Sequence, residues 1–191
     1  MNLSEVLLDQ LIKVIQDKFI SISPLKGTGY SAMTTAMTTF FSVREKFFIE
    51  KTALFLKGFE DIDENFRNKF NKVTSDHKSK EDLESRLIIA LDRFDDLEKA
   101  DALFKVFVAY INNEIDHQGF LRYLYVLDKI DFSKVETFRK FYTSSEEVIN
   151  DSSMNSFAFV GLLQLMTRAD RTVFGKNDFG SKFLKILGLL E

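Results

Sequence analysis

The chain has 191 residues, a net charge of −3, 21 Phe, no Cys and no Trp. A chain of this length buries enough apolar surface to hold itself without cross-links, and the lack of Cys excludes a disulfide framework and thiolate zinc sites. The near balance of acidic and basic residues excludes the strong basic excess on which non-specific nucleic-acid binding rests.

A first helix is predicted from about Glu5 to Phe19. Ser4 is its N-cap, and Leu8, Leu11, Ile12, Ile15 and Phe19 form one apolar face at helical spacing. Met1 to Gln10 carries no basic n-region, which argues against a signal peptide and for a cytoplasmic protein. Pro24 stops the first helix, and Ser23 to Tyr30 reads as a loop. The run Gly27 to Val43 has no charged residue. It falls short of the roughly twenty apolar residues that cross a bilayer. Ala32 and Ala36 sit one helical turn apart, with Met33 and Met37 beside them. These four are the candidate contacts to another helix, within the chain or across a homo-oligomer. A helix continues from about Ser31 to Lys57, where Gly58 is expected to end it as a left-handed glycine.

Asp63 to Val73 follows, with Phe66, Phe70 and Val73 on one face. Thr74 to Ser79 reads as a polar loop. Ser79 with Asp82 suggests a capping box opening a helix that runs to about Phe94. Asp95 and Asp96 cap the next helix, whose wide stripe through Leu103, Phe104, Phe107 and Ile111 belongs in a core. Asn112 and Asn113 turn the chain. Asp116 caps a helix ending at Lys129. Ser133 and Glu136 suggest a capping box for Lys134 to Tyr142, and Ser144 with Glu147 another for a short helix ending near Asn150.

The last forty residues change character. Ser156 to Met166 is apolar, Thr172 to Phe174 is β-branched and aromatic, and Asn177 caps a final helix with Phe179, Phe183, Leu184 and Leu187. The order read here is helix, short strand, turn, short strand, helix. The fold class is therefore mostly α: a Phe-rich multi-helix bundle over 1–150 and a small α+β, winged-helix-like appendage over 151–191.

No residue set carries chemistry. Asn112-Asn113-Glu114-Ile115-Asp116 looks like half a calcium loop, but with Ile115 at its apolar position the ligand positions fall on Val108, Tyr110 and Gly119, which lack the required side-chain oxygens. His77 and His117 read as surface residues without the helical spacing of a zinc site. The acid pairs Asp61/Asp63, Asp95/Asp96 and Glu146/Glu147 stand at predicted helix starts, where capping and the helix dipole explain them. No catalytic residue, cofactor or metal is assigned.

Two resemblances stand beside this reading. Gly161-Leu162-Leu163, Thr172-Val173-Phe174 and Asp178-Phe179-Gly180 resemble the end of winged-helix domains, which implies a wing over 156–187 with nucleic-acid contact through Arg168, Arg171 and Lys176. The helix that would enter the major groove has no Lys or Arg, so the same module also fits a partner-binding wing. Residues 104–138 resemble TerB-type helical domains, through an apolar helix followed by Asn112-Asn113-Glu114-Ile115. The family's Asp-Gly is Asn-Asn here, and its downstream acid falls at Gly119. The resemblance implies a helical scaffold of the kind found in bacterial stress and phage-conflict genes.

The leading expectation is a non-enzymatic protein-interaction module, an adaptor, inhibitor or immunity-type factor of a bacterium or phage, whose partner is another protein or a second copy. A winged-helix-like DNA-binding regulator ranks second. A membrane-associated effector using residues 27–43 ranks third.

Overall fold

A computed structural model describes residues 43–61, 63–144, 152–168 and 171–191. The predicted first helix, the run Gly27 to Ser42 with Ala32, Met33, Ala36 and Met37, and the short helix predicted before Asn150 lie outside the described residues. So does the expected boundary near residue 150. The described chain is mostly helical, with one two-stranded antiparallel sheet near its end. It divides between Phe104 and Lys105 into two compact units.

In the first unit, α1 (Val43–Lys57) runs into a tight 3-10 turn, Gly58–Asp61. Helix α2 (Glu64–Val73) starts at Asp63, whose Oδ1 accepts the Phe66 N–H at 2.7 Å. Helix α3 spans His77–Arg93. Helix α4 (Glu98–Ile111) opens where Asp96 Oδ1 accepts the Glu98 N–H at 2.8 Å. Phe48, Phe55, Phe59, Phe66, Phe70, Leu87, Leu91 and Leu103 are buried. Phe59 sits edge-on to Phe55, with centroids 5.5 Å apart, and edge-on to Phe66. Such edge-on packing suits the ring quadrupole.

Three local expectations change here. Gly58 is not a left-handed terminator, since the positive-φ glycines of the described chain are Gly161 and Gly188. It is glycine because the Phe104 ring lies on its Cα, where a Cβ would come within 2.4 Å of the ring. Phe104 is itself only half-buried, edge-on to Phe59 at 5.0 Å, whereas Phe107 is fully buried. Ser79 caps nothing, because α3 already begins at His77. The earlier start places Glu81 one turn beyond His77, whose Nδ1 lies 3.5 Å from Glu81 Oε1. His77 is thus the first residue of a helix and not part of the polar loop expected over Thr74 to Ser79.

In the second unit, α5 (His117–Lys129) is followed by a 3-10 turn, Phe132–Lys134, and then α6 (Val135–Thr143). Here too the predicted box is corrected. Asp131 is the capping residue, with Oδ1 accepting the Ser133 N–H, and Glu136 pairs with Arg139 at 2.6 Å. A 3-10 turn, Ser152–Met154, leads into α7 (Asn155–Phe159). Strands β1 (Gln164–Arg168) and β2 (Arg171–Gly175) pair antiparallel with Leu165 opposite Phe174, and α8 (Asp178–Ile186) follows. The predicted order of helix, strand, strand and helix is what the structure has, and the predicted turn at 169–170 lies outside the described residues.

One polar knot holds this unit together. The Tyr142 hydroxyl lies 2.9 Å from the Leu162 carbonyl and accepts the Asn177 N–H at 3.0 Å. Asn177 caps α8 through Oδ1, which accepts the Gly180 N–H at 2.8 Å, while its Nδ2 donates to the Gly161 carbonyl at 3.0 Å. Gly180 must be glycine at this approach, because a Cβ there would fall 2.1 Å from Leu162 O and 2.2 Å from Tyr142 Oη. Beneath the knot, Phe138 stacks on Phe157 at 4.5 Å.

Candidate functional site

The second unit carries a groove of about 760 Å³ between the N-terminal half of α5 and α8, lined by Glu114, Ile115, Asp116, Gln118, Gly119, Leu121, Arg122, Tyr123, Phe179 and Lys182. Its upper wall begins as the turn after α4. Asn113 adopts a left-handed φ of 59°, which Asn tolerates better than most residues. The Glu114 N–H then donates back to the Ala109 carbonyl at 2.9 Å, and Ile115 is buried below the turn. Asp116 Oδ1 accepts the Gly119 N–H at 2.7 Å and starts α5 in the predicted way. From the opposite wall, Lys182 Nζ donates to the Glu114 carbonyl at 2.7 Å and ties α8 to the turn.

Aromatic rings form the floor. Tyr123 stacks on Phe179 at 4.8 Å and on Phe183 at 5.6 Å. The Arg122 guanidinium lies 3.6 Å from the centroid of the Phe179 ring, a cation held against the negative face of the π-system. Burial pushes the Tyr123 phenol up to about 12, so this hydroxyl is neutral and a donor across physiological pH. It donates to the Phe179 carbonyl at 3.4 Å, a long bond. Acid–base catalysis works best with a group that titrates near the working pH, and Tyr123 is moved away from it.

The residues singled out from sequence fall elsewhere. Arg168 and Arg171 are the cross-strand pair at the connected end of the hairpin, and Arg171 is exposed. Lys176 lies exposed at the end of α6. Its ammonium donates to the carbonyls of Tyr142 at 3.0 Å and Ser144 at 2.5 Å, and lies 5.6 Å from the Phe141 ring centre. It therefore serves the C-terminal end of α6, whose last carbonyls have no partner within the helix. Sequence reasoning did not single out Arg122, Tyr123 or Lys182. Their only local signal is Gln118 and Arg122 at i,i+4 spacing beside the buried stripe of α5. The chain does not advertise that Phe179, so distant in sequence, completes the stack.

No protein-family model, curated protein or solved structure matches the chain. Among the described residues, no helix is long and apolar enough to cross a membrane.

Proposed function

We propose that the chain is a non-enzymatic protein-interaction module, an adaptor, inhibitor or immunity-type factor of a bacterium or phage, which receives another protein in the groove between α5 and α8. The observation that carries this reading is the stack of Arg122, Phe179 and Tyr123 on the groove floor. Arg and aromatic side chains are the residues protein interfaces favour, and a few such anchors dominate binding energy. The groove's mixed rim of Glu114, Asp116, Arg122 and Lys182 fits the polar border of a protein interface.

The test places a photo-crosslinking amino acid at Gln118 in native cells, with a second at exposed Lys134 as control. The protein captured at Gln118 is purified, and its affinity is measured against wild type and Phe179→Ala. Loss of that affinity in Phe179→Ala supports the groove. Equal capture at both positions, or unchanged affinity in Phe179→Ala, rejects it.

A second reading, nucleic-acid binding by the hairpin, draws on the cross-strand pairing of Arg168 with Arg171. A salt-dependent gel shift that weakens in Arg171→Gln would favour it. It would require Arg171 to carry most of the backbone contact, since the Lys176 ammonium is occupied by α6.

A further inference from the structure

We propose that the free edge of β1 is the docking surface for a second copy of this chain, whose own β1 pairs with it antiparallel to make a four-stranded sheet. The sheet has two strands, so among the described residues β1 has an unpaired edge. Burial along the two strands is unequal. Val173, Phe174 and Gly175 of β2 are buried, and successive residues point to opposite faces, so that strand is covered on both. Across from them Leu165 is 59 % exposed, Gln164 is exposed and Met166 is half-buried. β1 is thus the outer strand of the hairpin.

Open edges are normally guarded by charge, proline, a bulge or a covering element. From Ser152 to Thr167 the chain has no charged residue and no Pro, and the register of β1 with β2 runs without a bulge. The same stretch holds two exposed large apolar side chains, Phe159 and Leu165.

The register decides which backbone groups are free. Only two residues join the strands, so the pair beside them, Arg168 and Arg171, is a hydrogen-bonded one. Bonded and unbonded pairs alternate, which makes Met166–Val173 and Gln164–Gly175 bonded as well. The N–H and C=O groups of Leu165 and Thr167 therefore point away from β2. A second β1 can meet them if Leu165 of each copy exchanges both hydrogen bonds with Thr167 of the other.

This arrangement is closed and two-fold, as most oligomers are. A second copy is the occupant because the strand complements itself. Met166 stands on the axis, opposite Met166 of the second copy. The one charged residue of β1, Arg168, is placed opposite neutral Gln164. The two Arg168 positions stand about 14 Å apart along the strands, beyond the Debye length of about 8 Å, so no like charges oppose one another. β1 lines no part of the groove between α5 and α8, so this dimer and the groove's partner can each fail without the other.

The experiment is analytical ultracentrifugation of the full chain from micromolar to millimolar concentration, with amide hydrogen exchange read by NMR over the same range. Monomer is expected to pass to dimer as concentration rises. The Leu165 and Thr167 amides should slow with it, while the Met166 amide, already bonded to β2, changes little. Thr167→Pro removes an outward N–H that β2 does not use, and Leu165→Lys puts a guarding charge on the edge. Each should weaken the dimer by about tenfold or more. The chain has no Cys of its own. Met166→Cys therefore supplies a single thiol at the axis, where Cβ atoms of an unbonded pair lie about 4.5–5.5 Å apart. It should cross-link under mild oxidation, whereas Gln164→Cys, about 14 Å from its copy, should not. If Thr167→Pro fails to fold, Leu165→Lys and the two cysteine variants still decide. A monomer throughout, a dimer that ignores both edge variants, or equal cross-linking of the two cysteine variants overturns the proposal. So does a monomer whose Leu165 and Thr167 amides slow only when a different protein is bound, which gives the edge to a partner's strand.

Discussion

Each unit places a lysine at the open end of a helix, and the two lysines live in opposite surroundings. In the first unit Lys51 is 2 % exposed, and its ammonium donates to the carbonyls of Asp92, in the last turn of α3, and Phe94, just past it. In the second unit Lys176 is exposed and donates to Tyr142 and Ser144 at the end of α6. The job is the same: a cation satisfies carbonyls that the helix cannot. The cost differs. Burial pushes the Lys51 ammonium down from its ordinary value, with Asp92 and Asp95 holding it partly up. Lys51 itself is buried, whereas Lys176 and its contact with the Ser144 carbonyl are exposed. The same contact is therefore structural in one unit and accessory in the other.

Replacing Lys51 with Ala gives the largest expected effect. It removes a buried charged hydrogen bond and a packed aliphatic stem, and should cost about 3 kcal/mol in urea unfolding. A loss below about 1 kcal/mol would mean that water enters and takes over the carbonyls, and the contrast between the units would vanish.

Alkaline pH gives a middle-sized effect of opposite sign in the two units. Lys51 has a folded value below its ordinary 10.5. The folded state therefore disfavours its charged form, and the contribution to stability grows as pH rises from that lowered value towards 10.5. Burial raises Tyr123 from 10.0 to about 12 and raises Tyr142 in the same direction. The contribution of Tyr123 is full below pH 10.0 and is lost as pH climbs through its folded value of about 12, and that of Tyr142 changes in the same direction. Fluorophenylalanine reporters in each unit should show the second unit's urea midpoint falling above pH 10.0 while the first unit's holds or rises. Parallel decline in both units would count against the buried-ammonium account.

Lys176→Ala gives the smallest expected effect, about 0.5 kcal/mol, reduced further by salt because the group faces solvent. A loss as large as that of Lys51→Ala would show that Lys176 also anchors the fold around Phe141.

The caps explain how far the sequence could be read. Asp63, Asp116 and Asn177 each bind an N–H three residues ahead, and such local grammar is visible in a string of letters. The hairpin was legible through Thr172-Val173-Phe174 for the same reason. Ser79 and Ser133 misled because a better start lay upstream, at His77 and Asp131. Gly58 misled because its constraint comes from Phe104, many residues away. The groove was illegible throughout: its defining contacts join Tyr123 to Phe179 across 56 residues and Glu114 to Lys182 across 68. Spacing patterns do not encode which distant ring lies over which side chain.

That separation has a consequence for the chain while it is being made. The turn at Asn113 and the whole of α5 are synthesised long before Phe179 and Lys182 exist. Chains are built at about 5–20 residues per second, so α5 waits for several seconds with Tyr123 lacking its stacking partner and Arg122 lacking its ring. A truncated or stalled product ending before α8 would present an unpaired aromatic face in place of a groove. Completion of α8 thus turns this surface from an unpaired aromatic face into a groove.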